Sequence, residues 1–360
     1  MRLEDYKYKV DYKWLKTKDD SKKEFDLISP AGRRLYFNSK IGKELSALRE
    51  YLKNNTFIGY LLAPKMAGKG TYSKMLREIV GPEYFEIVSV GDAVRAAHKE
   101  FLEQGKNSDL YAYAKENYRG MMGLDEAFDS LVNRTQKGLM PTEFILTIVK
   151  REIDRIGHKS IFIDGFPRKV DQVSYSLYFR DLINYRGDPD LFVLISLPLE
   201  VIDARIRGRR VCPKCKTPTN IRLLPTSIVR FDEETQDYYL VCDNPNCEPT
   251  RLVEKEGDDK GIELIRERLE NDLELVNMAR NMYGISRIEL FNSLEVDVGY
   301  KYVDDYEITK EYSYEGRGDD IVTVPKPFEI EDHGVKYFSL LPPPVVVQFV
   351  RQLVDVFNLT

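Results

Sequence analysis

A lysine between two glycines lies a few residues after a short apolar run, and this arrangement is typical of a loop that binds phosphate groups. The apolar run 57–62 leads into Ala-Pro-Lys-Met-Ala-Gly-Lys-Gly-Thr at 63–71, and a helical pattern begins directly after it. In such a loop, backbone N–H groups and the helix N-terminus surround phosphate oxygens, and Lys69 places its charge on the β and γ groups. Ala63 stands where the first glycine of such loops belongs, and Met66 replaces a small residue. We expect phosphate binding here, with the Met66 side chain directed away from the phosphates.

The four cysteines of the chain form a second group of residues that could do chemistry. Cys212 and Cys215 are separated by two residues, Cys242 and Cys247 by four, and all lie within residues 212–247. Four thiolates complete a tetrahedral structural zinc site that leaves no open position for catalysis. A disulfide framework is normally denser and spread along the chain, so the clustering favours thiols kept reduced for a metal. Free or redox-active thiols are the alternative.

Short apolar runs alternate with helical segments along the central part of the chain. This alternation indicates a parallel sheet wrapped by helices, because strands buried on both faces are apolar throughout. The runs lie at 57–62, 85–89, 160–164 and 191–197.

Three segments lie outside this alternating pattern. Residues 1–54 carry a basic excess and are predicted to contain a short hairpin turning at Pro30-Ala31-Gly32. Residues 97–160 read as a long, mostly helical insertion, and residues 295–335 as an acidic, β-rich one. A final helix is predicted at 345–357, after three prolines. The strand-like runs of the acidic insertion are 300–308 and 321–324.

Composition and charge exclude several classes of protein. With 360 residues, 42% hydrophobic and 31% charged, the chain can bury a substantial core and is not a disordered or fibrous protein. A net charge of -5 argues against nucleic acid or an anionic membrane as the main partner. Apolar runs stay below the roughly 18 residues that span a bilayer, and the charged first residues do not read as a secretory signal. We therefore expect a cytosolic protein.

Further motifs follow the phosphate loop, and together they carry a resemblance to a known family. After Gly68-Lys69-Gly70-Thr71 come Gly91-Asp92-x-x-Arg95, Asp164-Gly165-Phe-Pro-Arg168 with Gln172 four residues later, and Arg205-Ile-Arg-Gly-Arg209-Arg210. In this order, the set resembles adenylate kinases and other nucleoside monophosphate kinases. The resemblance covers about residues 57–281 and, weakly, the final helix. It leaves 1–54 and 295–335 unaccounted for.

The resemblance implies that a ring of cations acts on the transferring phosphoryl group, which fits a reaction that depends mainly on positioning and neutralising charge. Lys69 would serve ATP, while Arg95 and Arg168 would grip the phosphate of the acceptor. Arg209 would come from a mobile lid, and Arg268, in Ile-Arg-Glu-Arg-Leu, matches a second arginine aimed at the transferring group. These residues, together with Asp164, form the predicted catalytic set.

The resemblance also implies an ATP site and a magnesium ion that accompanies ATP. Arg205 would lie along the ATP base. Asp92 and Asp164, at strand ends, would hold waters of the magnesium ion, which keeps several waters and is commonly held by few carboxylates. Gly70 occupies the position where many phosphate loops place a magnesium-binding hydroxyl, so the carboxylates matter more here. The implied ATP-binding residues are Ala67, Gly68, Lys69, Gly70, Thr71, Arg205 and Arg209.

For the acceptor, the resemblance implies AMP. The amide of Gln172 presents a donor and an acceptor that can pair with the adenine edge. Val90, where adenylate kinases commonly carry threonine, lacks a hydroxyl contact. The implied AMP-binding residues are Val90, Arg95, Leu139, Met140, Gly165, Arg168 and Gln172.

The predicted architecture is an α/β fold with a P-loop parallel sheet core wrapped by helices. A helical monophosphate-binding insertion occupies 97–160, and a zinc-bearing, β-rich lid occupies 209–260. Glu256 stands where the family usually has an arginine, and Lys255 or Arg251 could substitute for it. The acidic β-rich insertion is 295–335 and the N-terminal extension 1–54. The core then comprises 55–96, 161–208, 261–294 and 336–360.

The sequence thus predicts a monomeric adenylate kinase with ATP and AMP as its partners, Mg²⁺ bound with ATP, a structural Zn²⁺, and neither nucleic acid nor membrane as a partner. The reaction would be reversible transfer of the ATP γ-phosphoryl group to AMP, giving two ADP. One alternative is a kinase for UMP, CMP or several monophosphates. A non-catalytic nucleotide-binding protein is another, motivated by Ala63, Met66 and Glu256.

Overall fold

The computed structural model describes residues 1–19, 23–133, 140–168, 188–318 and 320–359. In chain order its strands are β1 (Ile58–Leu62), β2 (Phe85–Ser89), β3 (Ser160–Asp164), β4 (Asp190–Ser196), β5 (Arg209–Val211), β6 (Pro218–Asn220), β7 (Ile228–Asp232), β8 (Asp237–Val241), β9 (Val253–Glu254), β10 (Ser286–Phe291), β11 (Ser293–Glu295), β12 (Lys310–Glu315), β13 (Val322–Pro327), β14 (Glu329–Asp332) and β15 (Val335–Ser339).

The helices connect and cover these strands. They are α1 (Pro30–Leu52), α2 (Lys69–Val80), α3 (Val90–Gln104), α4 (Asp109–Asn117), α5 (Leu124–Val132), α6 (Thr142–Ile156), α7 (Leu199–Arg207), α8 (Arg266–Asn281), α9 (Val296–Gly299) and α10 (Pro342–Val356). Short 3-10 helices occur at Leu3–Asp5, Gly105–Asn107, Pro245–Cys247, Asp258–Ile265 and Asp305–Glu307. Among the described residues, no helix is both long and apolar enough to cross a membrane.

A five-stranded parallel sheet forms the core, in the order β10-β4-β1-β3-β2. The central strand β1 pairs through Ile58 with Ile161 on one side and with Asp190 on the other. All five residues of β1 are buried, as expected for a strand covered on both faces. The predicted parallel sheet wrapped by helices is confirmed. The loop after β1 and the end of β3 therefore meet at the carboxyl edge of the sheet, where ligands of such folds bind.

The N-terminal extension differs from the predicted hairpin. Residues around the proposed turn begin the long helix α1, in which Pro30 is the first residue. Ser29 caps the helix, because its Oγ accepts a hydrogen bond from the N–H of Gly32 at 3.1 Å. Proline favours the first helical position as readily as a turn, since its missing N–H has no partner there in any case. Helix α1 packs on α10 and α2, so the extension belongs to the wall of the core.

The acidic insertion also differs in part from its prediction. The strand-like run 300–308 contains a 3-10 helix at Asp305–Glu307, because Asp304 and Glu307 form a reciprocal capping box. The run 321–324 falls largely within strand β13, which pairs antiparallel with β12 in a hairpin. Strands β11, β15 and β14 form a separate antiparallel sheet beside the core.

The helical insertion and the lid each have a hydrophobic cluster of their own. Helices α3 to α6 pack around Phe128 and Phe144, both almost fully buried. The lid contains two small sheets, β6-β5-β9 and β7-β8. Its buried cluster is small and is built largely from cysteines together with Leu240 and Leu252.

Candidate functional site

The loop between β1 and α2 has the backbone shape of a phosphate cradle. Gly68, which precedes the first residue of α2, has a φ of 102°. Met66 also has a positive φ, 69°, in a left-handed conformation that favours glycine. Its side chain does not point away from the site as expected, because its Sδ lies 3.9 Å from an Arg209 Nη1 and the residue lines the adjoining cavity. Ala63 has no positive φ, so an alanine fits there without strain.

Lys69 is held inside the loop. Its Nζ donates hydrogen bonds to the carbonyl oxygens of Ala63 at 2.7 Å and Pro64 at 3.3 Å. Burial lowers the pKa of Lys69, while the carboxylates of Asp164 and Asp272 act in the opposite direction. The ammonium group therefore stands ready to exchange carbonyl partners for phosphate oxygens.

A cavity of about 740 Å³ opens over the loop. Cations from several elements line it, among them Lys69 from α2, Arg168 from the segment after β3, and Arg268 from α8. Asp164, at the end of β3, also lines it. Several positive groups and the N-terminus of α2 thus face one space, which is suited to a polyanionic ligand.

Arg95 and Arg168 converge over Gly91. A Cβ at Gly91 would lie 3.4 Å from an Nη of each arginine, at van der Waals contact, so both guanidinium groups lie close to the backbone there. Arg168 also donates from Nε to the carbonyl oxygen of Gly165 at 2.8 Å. Gly165 has a φ of 93°, and a Cβ there would lie 2.9 Å from Arg168. Gly165 therefore leaves space for the Arg168 guanidinium group, which meets that of Arg95 over Gly91.

The two predicted magnesium-linked carboxylates are in different environments. Asp164 lines the cavity, whereas Asp92 forms an ion pair with Arg95 one turn along α3. Hydrogen bonds from Ser89 and Arg95 lower the pKa of Asp92. The structure thus brings Asp164 to the phosphate loop and leaves Asp92 as the partner of Arg95.

Two lid-side arginines are tied to fixed partners. Arg209 contacts Asp258 at two points, with Nε 2.6 Å from Oδ2, and Asp258 is 1% exposed. Arg205 donates to the carbonyl oxygen of Met66 at 2.8 Å and to Oδ1 of Asn292 at 3.1 Å. Arg205 therefore connects α7 to the backbone of the phosphate loop.

Of the two substitutes considered for the arginine missing at Glu256, one lies near the loop. The pKa of Lys65 is lowered mainly by burial and by the charges of two arginines. Lys255 lies close enough for its charge to add to this effect. Arg251 instead pairs with Asp232 and lies over the ring of Tyr239, 4.2 Å from its centroid.

Asp272 was not predicted from the sequence, yet it lines the cavity. It follows Arg268 by one helical turn on α8, with its Oδ2 4.0 Å from the Arg268 Nε. Its Oδ2 accepts a hydrogen bond from the backbone N–H of Lys65 at 3.0 Å. Burial raises the pKa of Asp272, and the charges of Lys69 and Arg268 act against this. The four-residue spacing from Arg268 was the one signal that the sequence offered.

The predicted acceptor-base residues are only partly within the structure. Leu139 and Gln172 lie outside the described residues. Val90 is buried at the start of α3, and Met140 packs against the cluster of the helical insertion.

The four cysteine sulfurs lie together in the lid, all within 4.8 Å of one another. Cys212 and Cys247 are 3.9 Å apart, and Cys215 and Cys242 are 3.7 Å apart. Sulfurs placed 2.3 Å from a central zinc ion in a tetrahedron would be about 3.8 Å apart. Hydrogen bonding to Thr217 lowers the pKa of Cys215 to about 6, which favours its thiolate, whereas burial raises the pKa of Cys247. The four sulfurs therefore fit a tetrahedral metal ion. The wider sequence spacing of Cys242 and Cys247 does not prevent this arrangement.

Similarity to known proteins covers the part of the chain that holds this site. No protein-family model matches the chain. The adenylate kinase of Hydrogenobaculum sp. strain Y04AAS1 is 30% identical over 210 residues, which cover 58% of this chain and 80% of that protein. The adenylate kinase of Thermotoga petrophila is 32% identical over 214 residues, covering 59% and 79%. That of Thermotoga neapolitana is 30% identical over 225 residues, covering 62% and 83%.

Proposed function

This chain belongs to the adenylate kinase family, and we propose that it transfers the γ-phosphoryl group of ATP reversibly to AMP, giving two molecules of ADP. Its similarity to these adenylate kinases shows that it is a phosphotransferase and supports activity on nucleoside monophosphates. The choice of AMP, the metal ions and the roles of individual residues are parts of our proposal.

The observation that carries the proposal is the meeting of Lys69, Arg168 and Arg268 around one cavity at the phosphate loop. Phosphoryl transfer leaves little covalent chemistry for the protein, so catalysis rests on holding two nucleotides in line and neutralising the charge between them. Lys69 would release the carbonyls of Ala63 and Pro64 and bind the β and γ phosphate groups of ATP. Arg268 would act on the transferring group from the opposite wall.

Arg95 and Arg168 would hold the acceptor phosphate. Their guanidinium groups converge over Gly91, and planar guanidinium groups bind phosphate oxygens through paired hydrogen bonds. An acceptor phosphate at this point would lie on the Arg168 side of the cavity, with the ATP phosphates on the Lys69 side. In this arrangement ATP and the acceptor nucleotide would bind on opposite sides of the same cavity.

The lid would complete the ATP site. Arg209 is proposed to contact the ATP phosphates and Arg205 to lie along the ATP base, with Lys255 supplying the charge that Glu256 cannot. Closure of the lid would exclude water, which would otherwise accept the phosphoryl group. Because the Arg209 Nη1 already lies 3.9 Å from the Met66 sulfur, a short movement would bring it to a nucleotide bound at the loop.

Both metal ions of the proposal are assigned to residues that fit them. Asp164 would hold waters of the Mg²⁺ that arrives with ATP and neutralises charge on its β and γ oxygens. Asp92 could join it after parting from Arg95. In the lid, Cys212, Cys215, Cys242 and Cys247 would bind a structural Zn²⁺, which supplies stability that the small lid core lacks.

The proposed reaction is tested by measuring ADP formation from MgATP and AMP with the wild-type protein and a Lys69→Ala variant. Loss of the Lys69 charge should lower kcat by roughly 10²-fold or more, as comparable electrostatic deletions do. Lys99→Ala is a matched control, because Lys99 is exposed on α3 and its ammonium group pairs with the Glu103 carboxylate at 3.8 Å. Near-normal turnover in the Lys69 variant would contradict the mechanism.

A further inference from the structure

A carboxylate inside a site for polyanions needs a physical reason, and Asp272 has one. Its charge repels phosphate, which by itself weakens ATP binding. Its Oδ2, however, accepts a hydrogen bond from the Lys65 N–H at 3.0 Å, in the first half of the phosphate loop. Hydrogen bonds to a charged acceptor contribute more than those between neutral groups.

The loop requires such support because of its composition. Met66 holds a left-handed conformation that disfavours a residue with a side chain. Two side chains from other elements bind the backbone on either side of this strained point. Asp272 binds the N–H of Lys65, and Arg205 binds the carbonyl oxygen of Met66 at 2.8 Å.

We propose that Asp272 is a positioning residue, which holds the Lys65 N–H and steadies Arg268 so that the phosphate loop keeps its binding shape before ATP arrives. This inference rests on the proposed use of the loop for ATP. The charges of Lys69, Arg268 and Arg168 act on the carboxylate and offset its repulsion of phosphate. The net effect of Asp272 is therefore tighter binding of ATP.

The test measures MgATP binding by calorimetry, without an acceptor nucleotide, for Asp272→Ala, Asp272→Asn and the wild type. The Ala variant should bind about 10-fold more weakly, because the Lys65 N–H loses its partner. The Asn variant should stay within about 3-fold of the wild type, because its amide oxygen still accepts that hydrogen bond. Glu274→Ala, exposed on the same helix, should bind as the wild type does.

Steady-state kinetics provide a readout that a general loss of structure would not reproduce. Asp272→Ala should raise the KM for MgATP and leave the KM for AMP unchanged. If both Asp272 variants bind MgATP as tightly as the wild type, or more tightly, the carboxylate only repels phosphate and the inference is wrong. A wild-type protein that binds no MgATP would instead contradict the proposed function itself.

A second, independent observation concerns the β12–β13 hairpin. The hairpin leaves the core at Thr309 and returns at Phe328, whose N–H donates to the carbonyl oxygen of Thr309 at 2.9 Å. All six residues of β13 are exposed, so the hairpin has little core of its own. The hairpin contacts the lid. The polypeptide enters the lid after residue 208 and returns to the core at residue 261.

These contacts combine backbone, side-chain and charge interactions. The N–H of Tyr312 donates to the carbonyl oxygen of Arg222 at 2.7 Å, and the Arg222 side chain pairs with Glu311. The Tyr238 hydroxyl donates to the carbonyl oxygen of Gly316 at 2.9 Å, and its ring lies 5.5 Å from that of Tyr314. We infer that the hairpin is a brace that fixes the position of the lid in the nucleotide-free protein.

The brace is tested by excising residues 310–327 and joining Thr309 to Phe328 with two glycines. Donor and acceptor dyes on non-natural amino acids at Lys43 and Glu234, both exposed, report the distance between core and lid. Excision should broaden the distance distribution without nucleotide and change the KM for MgATP by at least about 3-fold. An unchanged distribution would overturn the inference.

Smaller changes guard against a deletion that fails to fold. A Glu311→Ala, Tyr238→Phe double variant should broaden the distribution in the same direction, because it removes the ion pair and the hydroxyl contact. Val322→Ser, on the exposed strand β13, should leave the distribution unchanged. A double variant that behaves like Val322→Ser would contradict the brace.

Discussion

The Arg209 guanidinium and the Asp258 carboxylate form a two-point ion pair at the base of the lid, with Nε 2.6 Å from Oδ2. Asp258 is almost completely buried, so the arginine has a structural role before any nucleotide binds. Under the proposed function, Arg209 would keep Nε and Nη2 on Asp258 and offer ATP its Nη1, which lies 3.9 Å from the Met66 sulfur. This pairing preorganises the lid cation.

Arg209→Ala should therefore affect both catalysis and stability. We expect kcat to fall by roughly 10²-fold or more, because a cation facing developing charge is lost. The unfolding temperature should also fall, because a buried carboxylate is left unpaired. Arg207→Ala, an exposed neighbour paired with Asp203, is the control and should keep normal activity. An Arg209→Ala, Asp258→Asn double variant should regain stability without activity, and recovery of both would contradict the catalytic role.

The left-handed backbone at Met66 predicts an unusual order of stability among its variants. Met66→Ala and Met66→Gly both remove the sulfur contact with Arg209, but only glycine relieves the backbone strain. The glycine variant should be more stable than the alanine variant by about 1 kcal/mol, the lower end of the cost of a left-handed residue. Urea unfolding of the two proteins measures the difference. An alanine variant equal to or more stable than the glycine variant would show that residue 66 does not hold this conformation.

The sulfur geometry in the lid predicts one zinc ion per chain. Elemental analysis of the purified protein should give close to one zinc, and Cys242→Ser should lower this value because one of four ligands is lost. Chelation should lower the unfolding temperature of the lid before that of the sheet core, since the lid cluster is small. Metal-free protein with unchanged lid stability would refute the assignment.

Glu100 predicts a dependence of stability on pH within the helical insertion. It accepts two hydrogen bonds from Arg151, both 2.8 Å, and one from the Leu110 N–H. Partial burial acts to raise the pKa of Glu100, but these bonds outweigh it and lower that pKa. A lowered carboxyl pKa stabilises the fold above the unfolded value of about 4.3, and this contribution is lost as pH falls through the lower folded value.

Glu100→Gln should accordingly lower the free energy of unfolding at pH 7 by about 1 kcal/mol or more. The difference from wild type should narrow as pH falls below about 4.3. Glu103→Gln, on the exposed side of the same helix, is the control and should match the wild type at each pH. A difference that stays constant with pH would exclude the ion pair as its cause.

The sequence predicted the parallel sheet and the position of the glycine-rich loop after β1 well, because both depend on local patterns. Continuous apolar runs mark strands buried on both faces. The sequence Gly68-Lys69-Gly70-Thr71 is itself typical of a phosphate-binding loop. The hairpin at Pro30 was wrong because proline followed by glycine also suits the start of a helix, and capping by Ser29 decides between the two. The strand-like run 300–308 was wrong because a capping box involving Glu307 closes a helical turn.

Residues that act through tertiary contacts could not be found in the same way. Asp272 belongs to no motif, and its role depends on helix α8 lying beside the phosphate loop, where its partner Lys65 precedes it by 207 residues. The pairing of Arg209 with Asp258 likewise joins residues that are 49 positions apart. It forms because the two ends of the lid segment meet at the base of the lid. Neither relationship has a local signal, because each arises from how separate elements pack.

The most direct test of the account is a comparison of AMP, UMP, CMP and GMP as acceptors in a coupled assay of ADP formation from MgATP. A site built to hydrogen-bond its substrate rejects analogues that leave its polar groups unpaired. We predict that kcat/KM for AMP exceeds the values for UMP and CMP by at least about 10²-fold, and that Gln172→Ala reduces this preference more than it reduces ATP affinity. Equal use of AMP, UMP and CMP by the wild-type protein would contradict the account and identify a broad nucleoside monophosphate kinase.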